Sequence, residues 1–207
     1  MAKEKAKRYT IRGKVVNCWL QKASEEYNSF SAKLRVPADQ AEALVAKIDA
    51  LMGISKTEAL KETGKKKVKE GTRPYEEADD ETGDIIFKFN KKASGVDKKT
   101  GEKWTSNVAM FDKFGKPFPQ ALKIGAGTDM SISFLEPVTY YTDLLGAGVK
   151  ALKPVAAMVH ELVEYSGGSA SDFGFDVEED DEEETEAVPE TAGSAVAEGA
   201  DDGSEDF

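Results

Sequence analysis

The chain has 207 residues, a formal net charge of −11, one cysteine and one histidine. A lone cysteine excludes an internal disulfide, and a lone histidine leaves no zinc-type ligand set, so Cys18 and His160 are read as packing residues. No stretch approaches the roughly 18 apolar residues of a spanning helix. The N-terminal Met-Ala-Lys-Glu-Lys-Ala-Lys-Arg run precedes no apolar segment, so a soluble protein of a reducing compartment is expected, with no membrane partner.

The charge is split along the chain. Residues 176–207 hold 15 Asp and Glu and no Lys or Arg, whereas residues 1–175 hold 28 basic against 24 acidic side chains. A body near +4 is therefore tethered to a polyanion of −15. Residues 1–8 read as a flexible basic arm and 9–165 as one folded domain. Residues 166–175, opening Ser-Gly-Gly-Ser-Ala-Ser, read as a linker. Beyond them the chain carries almost no large apolar residue and is expected to be disordered when free.

Within the domain, Tyr9–Leu20 alternates, with Ile11, Val15 and Trp19 opposed to Arg12 and Lys14, and predicts a long strand. Ser29–Val36 predicts a second, with Phe30, Ala32, Leu34 and Val36 on the inner face and Ser31, Lys33 and Arg35 on the outer. After Pro37, Ala41, Leu44, Val45, Ile48, Leu51 and Met52 recur at helical spacing. Gly53 is read as the stop of that helix and Ser55 as the cap of a weaker one reaching about Glu62. Gly64–Ala78 reads as a mobile loop or fraying helix end.

Strand signals return at Asp84–Ser94, with Ile85, Phe87 and Phe89 opposed to Ile86, Lys88 and Asn90, and at Trp104–Asp112. The intervening Val96–Lys103 turn makes the two strands a hairpin. Gly115, Pro117, Pro119, Gly125 and Gly127 punctuate a long connection before Met130, Ile132 and Phe134 mark another strand. Pro154 requires the last element, Val149–Tyr165, to be bulged, broken or at an edge; a helix over Val155–Glu164 is the competing reading. Several strands with one inserted helix predict a mainly β fold, an OB-fold-like β-barrel, rather than α/β.

No convergent nucleophile, acid–base or metal set is present, so neither an enzyme nor a cofactor is expected. Gly95–Lys103 lacks phosphate-loop spacing and precedes a strand, and Ile124-Gly-Ala-Gly-Thr128 is too short for a dinucleotide fingerprint. Single-strand nucleic-acid binding instead needs cations along a groove and flat rings on which bases stack. The phosphate candidates are Arg12, Lys14, Lys33, Arg35, Lys88, Lys91, Lys98, Lys99 and Lys103. The stacking candidates are Trp19, Tyr27, Trp104, Phe111, Tyr140 and Tyr141. Phe30, Phe87, Phe89 and Phe134 share faces with aliphatic residues and are assigned to the core; Trp104 fits core and groove equally. Tyr140 and Tyr141, in a loop after Pro137, are expected to be exposed. The acidic tail would compete with phosphates for the basic groove, and Asp206-Phe207 offers an apolar anchor framed by charge. A DNA-mimicking inhibitor and a tail-driven interaction scaffold are the alternatives, but neither accounts for a basic body.

The stretches Pro74-Tyr75-Glu76, Phe87-Lys88-Phe89, Asp97-Lys98-Lys99-Thr100, Ile124–Thr128, Gly146–Lys150, Glu161-Leu162 and Asp206-Phe207 give the chain a family likeness in their order. It resembles the single-stranded DNA-binding proteins of T-seven-like bacteriophages, OB-folds with an acidic tail ending in Phe. The resemblance implies a DNA-coating role in phage DNA replication, recombination, repair and strand annealing in the host cytoplasm. It implies tail contacts with the replicative DNA polymerase and helicase-primase, and raises self-association as a dimer. By position it assigns Lys98, Lys99 and Lys103 to a basic hairpin, Tyr140 or Tyr141 to an aromatic DNA contact, and Phe207 to the terminal anchor.

Overall fold

The computed structural model describes residues 7–165. Residues 1–6 of the expected basic arm, the Gly/Ser linker and the acidic tail lie outside the described residues; Arg8, expected in the arm, opens the first strand. The elements run β1 (Arg8–Ser24), β2 (Ser29–Val36), α1 (Ala38–Thr63), β3 (Tyr75–Glu77), β4 (Ile85–Lys92), β5 (Ser94–Val96), β6 (Lys103–Thr105), β7 (Ala109–Asp112), β8 (Asp129–Leu135), β9 (Thr139–Thr142), β10 (Gly146–Val149) and β11 (Pro154–Glu161).

The long strand β1 serves two neighbours in turn: Arg8–Lys14 pairs with β8, and Lys14–Ser24 pairs with β2. The exchange falls at Gly13, where an added Cβ would run into the backbone oxygen of Arg35. Only glycine lets the strands cross that closely. The main sheet has the order β3-β4-β2-β1-β8-β11-β7. It curls until Phe89 in β4 meets Leu152 through one parallel bridge. Asn90 N donates to Leu152 O at 2.9 Å and Leu152 N donates to Lys88 O at 3.1 Å. This is an OB-like sheet whose seam is a single bridge, not a barrel closed by a continuous ladder. Pro154, two residues on, has no N–H to extend it.

Phe87, Phe89, Phe134, Leu34, Met130 and Ile132 are at most 2% exposed and form the centre of the core. Phe89 meets Phe134 edge-on at 5.6 Å. The inward residues expected for β2 and β8 are buried, as are Phe87 and Phe89 of β4, while Ile85 is half-buried against the core's edge.

Several local expectations are corrected. Trp19 does not share a face with Ile11 and Val15. Val15 pairs with Leu34 but Asn17 pairs with Lys33, a bulge at Val16, and one extra residue reverses the side-chain parity beyond it. Leu20 consequently points inward, while Trp19 is 55% exposed. Helix α1 runs unbroken through Gly53, and Ser55 does not cap a second helix. Its buried hydroxyl donates to the backbone oxygen of Tyr140 at 2.9 Å, a tertiary anchor that outweighs the roughly 1 kcal/mol cost of a helical glycine. The helix ends at Gly64 (φ 65°), whose N–H bonds Leu60 O at 3.0 Å.

The segment after α1 is held in place. Gly71 N donates to Ala147 O at 2.7 Å and Ala147 N to Lys69 O at 2.9 Å, adding a third rail to the β9–β10 hairpin. Tyr75 and Arg73 both reach Asp49 on α1, at 2.7 and 3.2 Å. Strand β4 does not continue into a long hairpin with 104–112. Only β5 and β6 pair, after which β7 departs to run parallel to β11. The helix considered for 155–164 is replaced by β11, which Pro154 opens, where its missing N–H is tolerated. No helix among the described residues is long and apolar enough to cross a membrane.

Candidate nucleic-acid interface

The pleat places Ser31 and Lys33 of β2 and Lys88, Asn90 and Lys92 of β4 on the face away from the core. Cross-strand register then builds two rows, Trp19–Ser31–Asn90 and Asn17–Lys33–Lys88. Above these rows lies a concavity of about 510 Å³ walled by Trp19, Tyr27, Lys33 and Lys88. A second concavity, of about 800 Å³, is walled by Trp104, Lys91, Lys92, Lys150, Lys153 and Val138. Asn90 and Ala151 line both, so the two form one groove. It holds six lysines and two glutamates, Glu26 and Glu136, with two indoles, a phenol and an amide and hydroxyl floor.

The rings are presented rather than packed. Tyr27 is 71% exposed and Trp104 39%. Trp104 lies flat on Gly95 across the β5–β6 hairpin, where a Cβ would come within 2.6 Å of the indole Cζ2. One face of the indole is thus seated on backbone.

The lysines differ in their surroundings. Lys33 and Lys88 face each other directly across β2 and β4, and both bind Glu76 of the edge strand β3, at 3.1 and 2.5 Å. Lys88 foremost, with Lys33, holds the Glu76 carboxyl below its ordinary range against the opposing effect of burial. Lys91 donates to Asn107 O at 2.5 Å. Partial burial, and secondarily the charge of Lys153, depress its pKa. Glu136 lines the same concavity but is paired with Lys47 at 2.8 Å, so Lys91 and Lys153 remain two crowded cations able to attract an anion.

Other residues singled out by the sequence stand apart from the groove. Arg12 makes a two-pronged pair with Asp129, both contacts 2.9 Å, and Lys14 lies 3.8 Å from Asp129 and Glu161. Arg35 is occupied by Asp80, Asp84 and Thr82 at 2.6–2.8 Å. Lys98 and Lys99 extend from the β5–β6 turn, whose shape Asp97 sets by accepting from the N–H groups of Lys99 and Thr100 at 2.7 and 3.1 Å. Lys103 is exposed on β6. Phe111 is half-buried on β7. Tyr140 and Tyr141 belong to a strand rather than a loop and are half-buried. The Tyr140 ring is wedged against Gly148, and Thr72 N donates to its hydroxyl at 3.0 Å. Tyr141 donates to Asp143 at 2.7 Å. Neither tyrosine lines the groove. Lys92, Lys150, Lys153, Asn17 and Asn90 do, and the sequence reading omitted them. Lys92 and Asn90 were recoverable from the alternation through Lys88; Lys150 and Lys153 reach the groove only because Leu152 bridges to β4. Burial pushes the Cys18 thiol up to about 11, so it stays protonated.

Comparisons with known proteins bear on the family and the fold. A family model described as the single-stranded DNA-binding protein of bacteriophage T7 matches residues 18–162. The chain is 36% identical over 119 residues to a single-stranded DNA-binding protein of Escherichia phage T7, covering 56% of this chain and 49% of that one. It is 33% identical over 111 residues to its counterpart in Enterobacteria phage T3, covering 53% and 46%. The chain thus spans about half the length of the curated relatives it matches. The crystal structure of gp2.5, the single-stranded DNA-binding protein encoded by bacteriophage T7, superposes with a TM-score of 0.69 at 26% identity, over 84% of this chain and 97% of that one. These relatives are binding proteins, not enzymes. The chain belongs to the family of single-stranded DNA-binding proteins of the bacteriophage T7 type.

Proposed function

We propose that this chain coats single-stranded DNA without strong sequence preference, laying the strand along the groove from Trp104 to Trp19. The observation that carries the reading is the continuity of the two concavities through Asn90 and Ala151, which gives one path with cations along it and open rings at both ends. Phosphates are drawn to Lys91, Lys92, Lys150 and Lys153 at one end and to Lys33 and Lys88 at the other, releasing counterions. Bases stack on Trp104, Trp19 and Tyr27, and every base offers a π-face, so selectivity among bases is low. Lys98, Lys99 and Lys103 on the β5–β6 hairpin extend the positive field beside this path.

The same reading gives the protein a place in phage DNA replication, recombination and strand annealing. The 15 carboxylates of residues 176–207 compete with DNA for the groove, and Asp206 and Phe207 serve as the docking end for replication enzymes. The test is fluorescence anisotropy with labelled oligo-dT and a duplex of equal length, using the full chain and a chain ending at Gly174 across a salt series. Tighter binding to the single strand, strengthened further by truncation, is expected. Equal affinity for both forms at moderate salt, or no binding at low salt, refutes the reading.

A further inference from the structure

We infer that Glu76 is an internal stand-in for a DNA phosphate, holding the space between Lys33 and Lys88 until a strand displaces it; the inference rests on the single-strand reading above. Lys33 and Lys88 are directly opposed in the β2–β4 register, where like charges repel. Glu76 relieves that repulsion with one oxygen to each lysine, Oε1 at 3.1 Å and Oε2 at 2.5 Å. Two anionic oxygens shared by two cations is also how a phosphate with two free oxygens would sit. The carboxylate comes from the three-residue edge strand β3 and is 40% exposed, so water and an incoming strand both reach it. Lys33 and Lys88 line the groove, so a backbone following the groove meets this trio.

The consequence is thermodynamic. Lysines already paired within the protein hold fewer solution anions, and a displaced carboxylate must gather cations. Both effects flatten the salt dependence of DNA binding and set a threshold that weak, non-specific anions do not cross. Removing the carboxylate should tighten binding and steepen its salt dependence together, a pairing that loss of a merely structural contact would not produce.

The experiment compares wild type, Glu76→Gln, Lys88→Gln and the double variant as full chains. The probes are oligo-dT and an abasic oligonucleotide of the same length, across a salt series, with melting curves recorded for each protein. Glu76→Gln is expected to bind both probes about three- to tenfold more tightly at low salt, the worth of two released surface pairs. The slope of log K against log salt should steepen by about 0.7, the equivalent of the single carboxylate charge removed. The gain should shrink when Lys88 is already Gln. If Glu76→Gln binds no better than wild type, with an unchanged slope, Glu76 merely orders the lysines and the inference fails while the DNA-binding reading stands. If Glu76→Gln melts early, Glu76→Ala supplies the same comparison. No binding by wild type at low salt removes the functional reading, and this inference with it.

Discussion

Replacing Trp19 with alanine isolates the stacking half of the proposed interface. An indole side chain presents about 200–250 Å², and 55% exposure leaves roughly 110–140 Å² open to a base. Covering half to all of that at ~25 cal/mol per Å² is worth about 1.5–3 kcal/mol, inside the ~1–3 kcal/mol found for base–aromatic stacking. Trp19→Ala should therefore weaken oligo-dT binding by about 10- to 150-fold. Because the ring faces away from the core, the melting free energy should change by no more than about 0.5 kcal/mol. No charge is altered, so the salt slope should match wild type, and an abasic oligonucleotide should bind both proteins equally. Anisotropy titrations with the two probes across a salt series measure the three binding quantities, and urea melts measure the stability. A loss below twofold on oligo-dT, or an equal loss on the abasic strand, would refute stacking at Trp19 and with it the assignment of the Trp19–Ser31–Asn90 row as a base platform.

Two further outcomes follow from the fold. Gly148→Ala places a Cβ 2.8 Å from Tyr140 Cε1 and 2.9 Å from Thr72 O. This overpacking should cost about 1–3 kcal/mol and lower Tm by roughly 3–10 °C in calorimetry, and an unchanged Tm would show that Tyr140 is not wedged as described. Stability should also fall in acid. Arg12 holds Asp129 below its ordinary 3.8, while Lys47 holds Glu136, and Lys88 holds Glu76, below the ordinary 4.5. A depressed folded-state pKa contributes stability that is complete above the ordinary value and is lost as pH falls through the depressed one. Urea melts should thus be flat from neutral pH to about 5 and decline below about 4.5. The combined Asp129→Asn, Glu136→Gln variant should show a smaller decline, and an acid decline equal to wild type would discount these pairs.

The inward faces of β2, β4 and β8 were legible because alternation is a local property: Leu34, Phe87 and Ile132 had only one way to face the core. The helix was legible from its spacing, and the charge split pointed to a nucleic acid before any fold was known. The family likeness of separated stretches such as Phe87-Lys88-Phe89 and Gly146–Lys150 agreed with the same class. What failed locally failed for tertiary reasons. The bulge at Val16 turned Trp19 outward, the Ser55–Tyr140 hydrogen bond carried α1 past Gly53, and pairing with β11 drew β7 out of the long hairpin.

Periodicity therefore determined the helix that follows Pro37 and the core faces of β2 and β8, since each depends on neighbours one to four residues apart, and composition alone determined the contrast between a basic body and an acidic tail. Only the tertiary structure decided which cations act together. A lysine's partners are set by strand register and loop closure across the whole domain. For that reason Arg12 and Arg35 end in carboxylate pairs, while Lys150 and Lys153, brought in beside β4 by the Leu152 bridge, join Lys91 in the groove.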